Sequence, residues 1–291
     1  MDTIDRFTGK SDEYAKGRPG YAKEAVSYIY RTFVASHDPS IADIGAGTGK
    51  FTEQLARHGS TVWAVEPNPD MRARLATTAQ PYGNTVHIID GTAEDTHLRN
   101  ASIDIVVAAQ SFHWFDPAAF TRECERILRP DGAVLIVYNT ALGRSAAHPQ
   151  LAWWDEQRRE VAVGECEITA EVGEVGLQAD EPSCPAAAGK RAEANDAAYR
   201  LTLPSQRLLS RHAAIRDFFG GYVTRAEFPN PLTFDRDSYL AFMLSHSTTP
   251  RPDDEDYARY VASVQSIFDT DAVDDVLTLS YSTCVYSSSK V

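Results

Sequence analysis

Three glycines at alternate positions, Gly45-Ala46-Gly47-Thr48-Gly49, follow the run Ile41-Ala42-Asp43-Ile44. Twenty-one residues past Gly45, a second run, Thr61 to Val65, ends in a single acid, Glu66. Those residue types at that spacing can hold a nucleoside. Glycines bring bare backbone close to a ligand, because a Cβ there would block the approach. A helix starting near Thr48 turns its N–H groups toward the same point, and one carboxylate can accept both ribose hydroxyl hydrogens. A third stretch, Gln110-Ser111-Phe112-His113-Trp114, closes another apolar run and adds an amide, an imidazole and an indole. The imidazole, with an ordinary pKa near ~6.5, can take a proton from a hydroxyl or an acid.

The glycine spacing narrows the guest. In the dinucleotide fingerprint G-x-G-x-x-G the last position would be Lys50, and in the phosphate loop G-x-x-x-x-G-K-[ST] the first would be Ile44 and the last Phe51. Neither pyrophosphate nor triphosphate chemistry fits. A glycine turn in some other α/β protein is the plain alternative, and Glu66 at the end of the next strand weighs against it. An acid followed by G-x-G-x-G resembles the first motif of the class I S-adenosylmethionine-dependent methyltransferases. The resemblance implies S-adenosylmethionine as cofactor and S-adenosylhomocysteine as product. It places the cofactor across Gly45, Ala46, Gly47, Gly49 and Glu66, with Pro67 and Met71 beyond, then Thr92, Ala93, Glu94 and Gln110. It implies Glu94 against the adenine amino group, with the Ala93 N–H on a ring nitrogen.

Two further stretches are similar to the small-molecule, type 11-like branch of that family. One is Phe7, Tyr14, Arg18-Pro19 and Tyr21; the other is Phe112-His113-Trp114-Phe115. The first implies an N-terminal lid, with Tyr14 and Arg18 near the methionine end of the cofactor, where a guanidinium pairs well with a carboxylate. The second implies that His113 and Trp114 line the acceptor site, the indole beside the sulfonium. Read from the residues alone, His113 is either a proton acceptor or a group that orients neighbouring backbone. Methyl transfer to a ready nucleophile draws much of its acceleration from in-line positioning and needs no base. Tyr239 and Ser245-His246-Ser247-Thr248 are either acceptor contacts or ordinary caps. The expected activity is direct methyl transfer to an O, N, S or C nucleophile of a small molecule, without a metal. The alternatives are a protein of the same fold that uses bound cofactor for cyclisation or isomerisation, and a pseudoenzyme acting as a binding partner.

The elements that must position these residues alternate. Strands are expected at 41–45, 61–66, 86–89, 103–108 and 133–138, with helices at about 50–58, 71–78 and 117–128 between them and a turn at 129–132. Ile103 to Ala108 is continuously apolar, as a central parallel strand buried on both faces would be. Strands alternating with helices imply a Rossmann-like, doubly wound α/β sheet. Late strands at 222–228 and 277–286, the second alternating as a half-buried strand does, would complete seven strands with the last antiparallel. The expected organisation is N-terminal lid helices over 1–35, a cofactor-binding core over 36–139, a helical cap over 140–221, and C-terminal strands with cap helices over 222–291. Within the cap, 172–197 holds few large apolar residues and reads as disordered or as a mobile lid segment.

Composition bounds the rest. The 291 residues carry a formal net charge of −13, which argues against a nucleic-acid partner, since phosphate backbones recruit basic surfaces. Cys124, Cys166, Cys184 and Cys284 lie far apart, as free thiols in a reducing compartment would. With no apolar leader and no long apolar run, a soluble cytoplasmic protein that does not enter a membrane is expected.

Overall fold

Local chemistry sets the element boundaries. In the computed structural model, which describes residues 18–34, 38–141, 206–246 and 249–288, α1 (Lys23–Phe33) is followed by β1 (Ser40–Ile44), α2 (Lys50–Arg57) and β2 (Thr61–Val65). Then come α3 (Pro69–Ala79), β3 (Val86–Ile89), β4 (Ile103–Ala109), α4 (Pro117–Ile127) and β5 (Leu128–Ala141). The Asn68 side chain accepts from Met71 N and starts α3, and Asp116 accepts from Ala119 N and starts α4. Each helix carries proline in its first turn, where the missing N–H costs nothing. The later elements are α5 (Gln206–Phe218), β6 (Thr224–Pro229), β7 (Leu232–Phe234), α6 (Arg236–Leu244), α7 (Tyr257–Asp271), β8 (Leu277–Leu279) and β9 (Tyr281–Ser287). Among the described residues no helix is long and apolar enough to cross a membrane.

The main sheet has seven strands in the order β3-β2-β1-β4-β5-β9-β6. Strands β1 to β5 pair in parallel, and β9 runs antiparallel to both β5 and β6. This is the expected doubly wound sheet with its last strand reversed. One face is covered by α1, α2 and α3 through Val26, Ile29, Phe51, Leu55 and Leu75. The other is covered by α4 and α5 through Phe120, Ile127, Ile215 and Phe219. A separate core joins α6 and α7 to the β7–β8 pair through Tyr239, Phe242, Val264, Phe268 and Leu277.

Two strand expectations change. The run 277–286 is not one strand: β8 pairs with β7 in the small sheet, and β9 starts at Tyr281 in the large one. Leu277 and Leu279 are drawn into the α6–α7 core, whereas Cys284 and Tyr286 pack under α5. Nor is β9 half-buried. All its residues are buried, because it lies between β5 and β6 with helices on both faces. The turn at 129–132 appears as an irregularity inside β5: Ile103 lies opposite Leu128 but Ile105 lies opposite Ala133, so Arg129 to Gly132 bulge from the ladder. Residues 1–17 of the expected lid, including Phe7 and Tyr14, and residues 142–205 of the expected cap lie outside the described residues, as do Ser247 and Thr248.

The loop after β3 is held by a buried acid on α4. Glu123 accepts from Thr96 N at 2.8 Å and Thr96 Oγ1 at 2.5 Å, and pairs with Arg126 at 2.7 Å. Burial pushes this carboxyl up, but the Arg126 and Thr96 donors prevail and hold it down at about 2, against an ordinary 4.5. A folded-state pKa below the unfolded one gives stability that is complete above about pH 4.5 and lost as pH falls toward 2. Glu123→Gln is therefore expected to cost about 2 kcal/mol at pH 7 and almost nothing near pH 2. Urea midpoints across that range check it, and a pH-independent cost would refute the ionic origin.

Candidate active site

Parallel strands end on one edge, so the residues just past β1, β2, β3 and β4 meet there: Gly45, Glu66, Gly91 and Gln110. That edge is where open α/β sheets bind ligands. The turn after β1 is built from left-handed backbone, with φ of 68° at Gly45, 59° at Gly47 and 87° at Gly49. Gly45 N and Ala46 N both donate to Val65 O, at 2.9 and 3.0 Å, tying the turn to β2. The glycines are bare for more than a ligand's sake. A Cβ on Gly45 would stand 2.6 Å from Ser111 Cβ, and one on Gly49 would stand 2.6 Å from Leu75 Cδ1. At these two positions the protein itself already leaves no room for a Cβ.

Glu66 is 7% exposed and joins two loop tips. Its Oε2 accepts from Gly47 N at 2.8 Å and its Oε1 from Asn68 N at 2.9 Å. An ionised carboxylate has about four acceptor sites, so two lone pairs remain for further donors. Burial pushes Glu66 up, while the Asn68 and Gly47 N–H groups and the Arg72 charge pull it back. Arg72 donates to Glu66 O at 2.8 Å and Pro67 O at 2.6 Å and pairs with Asp90. Met71 is buried at the start of α3, its N–H on Asn68.

Beneath the turn lies Asp43, wholly enclosed. One oxygen accepts from Thr52 Oγ1 at 2.6 Å, and neither Asp43 Oδ1 nor Thr48 Oγ1 meets a hydrogen-bond partner among the described residues. Burial pushes Asp43 up to about 7, Thr52 opposes this, and the charge of Glu66 adds to it. The sign is opposite to that of Glu123. With the folded pKa above the ordinary 3.8, the native state binds the extra proton between about pH 4 and 7, so this contribution to stability is lost as pH rises through that window. Relative to wild type, Asp43→Asn is expected to gain stability as pH rises from 5 to 8. Parallel unfolding curves at the two pH values check it, and an unchanged difference would refute it.

On the loop after β3, Thr92 Oγ1 accepts from Glu94 N and Asp95 N at 3.3 and 3.2 Å, and Ala93 is buried. The Glu94 carboxylate accepts from Asp116 N at 2.9 Å, tying this loop to the start of α4. Gln110 has a φ of 60°, unusual for a side-chain-bearing residue, and Gln110 Nε2 donates to Asn139 O at 3.1 Å. Past it, a short 3₁₀ turn, Phe112–Trp114, buries Phe112 and leaves His113 exposed. His113 Nδ1 lies 3.1 Å from Tyr138 Oη, and its ring stands 4.7 Å from that of Trp114.

The segment before α1 is pinned beside this edge. Tyr21 N and O bond Gln54, Asn139 Nδ2 donates to Gly20 O at 3.0 Å, and Ala22 N donates to Thr283 Oγ1. Arg18 donates to Ser245 O at 3.5 Å. Tyr239, considered above as an acceptor contact, is fully buried between Phe234 and Phe268 and belongs to the small core. Ser111, Thr52, Arg72, Asn139 and Tyr138 were not singled out from the sequence. Ser111, Asn139 and Tyr138 act through partners far along the chain, as Ser111 does by donating to Ile44 O at 2.6 Å, and no local spacing marks such pairs.

Residues 42–136 match the family model described as a methyltransferase domain. The matched stretch runs from β1 into β5 and so holds the glycine turn, Glu66, the loop after β3 and His113. An uncharacterized methyltransferase of Mycobacterium tuberculosis is 39% identical over 127 residues, covering 44% of this chain and 49% of that one. An uncharacterized methyltransferase-like protein of Schizosaccharomyces pombe is 34% identical over 142 residues, covering 48% and 54%. The chain thus spans about half the length of these curated relatives. A solved structure of a candidate type II methyltransferase from Anaeromyxobacter dehalogenans aligns over 93% of this chain and 97% of that one, with a TM-score of 0.55 and 18% identity. At that identity the likeness shows the fold, a Rossmann-like sheet with its reversed strand.

Proposed function

We propose that this chain is an S-adenosylmethionine-dependent methyltransferase acting on a small molecule. The observation that carries the reading is Glu66. Its buried carboxylate is fixed by the Gly47 and Asn68 N–H groups at two loop tips and keeps acceptor capacity for a ribose diol.

In this reading Gly45, Ala46 and Gly47 hold the nucleoside from one side, with Gly49 setting the start of α2. Pro67 and Met71 shape the wall after Glu66. Thr92, Ala93 and Glu94 meet the adenine, Gln110 lies along the cofactor, and Arg18 takes the methionine carboxylate. When bound, the cofactor supplies an electrophilic methyl on a cationic sulfur. Trp114 gives that charge an aromatic neighbour. His113, oriented through Nδ1 by Tyr138 Oη, presents Nε2 to a proton leaving a hydroxyl or acid acceptor. The net charge of −13 favours a small acceptor over a nucleic acid.

The test is calorimetric titration with S-adenosylhomocysteine beside NADH, followed by a search for conversion of S-adenosylmethionine to S-adenosylhomocysteine with small acceptors. Micromolar binding of S-adenosylhomocysteine alone is expected. No heat with either ligand, from a folded sample, would sink the reading, and binding without turnover across acceptors would favour a non-transferring protein of the same fold.

A further inference from the structure

Arg211, on α5, places its guanidinium 4.4 Å from the centroid of the Tyr138 ring. Tyr138 Oη in turn meets His113 Nδ1 at 3.1 Å. The three side chains run in continuous contact from α5 to the turn after β4, and they end on an exposed imidazole. Arg211 is half-buried. Two other half-buried guanidiniums have carboxylates: Arg72 pairs with Asp90 and Arg126 with Glu123. Arg211 makes no ion pair with a carboxylate among the described residues, in a chain of 41 acids against 28 Lys and Arg.

Beside Arg211 lies Arg225, which pairs with Glu227 at 2.6 Å. Burial, then the charges of Arg225 and Arg211, hold the neighbouring His212 below its ordinary value, with Glu227 opposing. Burial also pushes Tyr138 up to about 12, with Arg211 opposing, so its phenol stays neutral and keeps its proton at neutral pH. A partly desolvated cation without a counter-ion is costly, and an anion arriving from outside offsets that cost. The planar guanidinium fork matches the two oxygens of a carboxylate better than a point charge would.

We propose that Arg211, with Tyr138 and His113, forms a subsite for a carboxylate carried by the methyl acceptor, which makes the substrates acidic small molecules. The word acceptor rests on the methyltransferase reading; the anion subsite does not. Arg211 anchors the carboxylate and Tyr138 Oη can donate to it. His113 Nδ1 fixes that hydroxyl and leaves the acceptor's nucleophile on the His113–Trp114 side.

The experiment titrates protein saturated with S-adenosylhomocysteine with acids and their primary amides: benzoate and benzamide, cinnamate and cinnamamide, hexanoate and hexanamide. Phenyl phosphate is the phosphate arm. Wild type, Arg211→Gln, Arg211→Lys and Arg216→Gln are compared, the last on an exposed position of the same helix. At least one acid is expected to bind about tenfold tighter than its amide. Arg211→Gln should erase that preference, Arg211→Lys weaken it and Arg216→Gln keep it, with S-adenosylhomocysteine affinity equal in all four. Equal affinity of every acid and its amide, or a preference that survives Arg211→Gln, overturns the proposal. Phenyl phosphate binding above every carboxylate overturns the carboxylate assignment. If wild type fails to bind S-adenosylhomocysteine, the methyltransferase reading falls, and the same pairs titrated into the unliganded protein still decide the subsite.

Discussion

Glu66→Gln is expected to lose S-adenosylhomocysteine affinity about as fully as Glu66→Ala, by at least about tenfold (~1.4 kcal/mol). An amide is usually the mild replacement for a carboxylate, but the geometry here removes that leniency. Both oxygens face backbone donors, Oε2 toward Gly47 N and Oε1 toward Asn68 N. Whichever way the amide is turned, its NH₂ meets one N–H, donor against donor. One loop tip is released, and the acceptor capacity left for a ribose falls as well. Glu66→Asp keeps the charge but is one methylene short of spanning the two tips, so the expected order of affinity is Glu, then Asp, then Gln with Ala. Calorimetry on the four proteins, with urea midpoints to show that each is folded, gives the answer. A Gln variant within about threefold of wild type would mean that Glu66 is a structural tie and not the anchor of the ligand.

The second large effect falls on stability. Gly45→Ala is expected to cost about 2–5 kcal/mol, the sum of two independent penalties. A φ of 68° is backbone that L side chains avoid, for about 1–2 kcal/mol. The new methyl would also stand 2.6 Å from Ser111 Cβ, an overlap costing about 1–3 kcal/mol. Ser111 has no easy retreat, because its hydroxyl donates to Ile44 O at 2.6 Å and its neighbour Phe112 is in the core. The double variant Gly45→Ala/Ser111→Gly separates the terms. Removing the serine Cβ relieves the overlap but leaves the strain and sacrifices a hydrogen bond. A double-mutant cycle should therefore show a coupling of about 1–3 kcal/mol between the sites. Additive effects would mean that backbone strain alone requires the glycine.

Much of the fold, and of the sheet edge that carries the candidate site, was legible because its signals are local. The alternation of apolar runs with amphipathic stretches gave the helices and strands of the core. Asn68-Pro69 and Asp116-Pro117 mark helix starts through their own side chains. The glycine turn and Glu66 reach the same edge because consecutive parallel strands connected by a helix must end on the same side. One strand was misjudged for a non-local reason. The alternation over 277–286 could not show that a helix covers each face of β9, or that Leu277 and Leu279 are claimed by a different core.

Residue type and spacing encode a framework: a doubly wound sheet, a glycine turn, and an acid at the end of the second strand. The tertiary structure decided what surrounds it. It alone shows that Ser111 occupies the space a Cβ on Gly45 would need. It also shows that Glu94 is tied to Asp116, that Asn139 joins Gln110 to Gly20, and that Arg211 lies over Tyr138 beside His113. The physical reason is contact distance along the chain. A cap or a turn is made by residues a few positions apart, so residue type and spacing encode it. A side chain that meets a partner dozens of residues or more away is placed by strand order and helix packing, which spacing does not record.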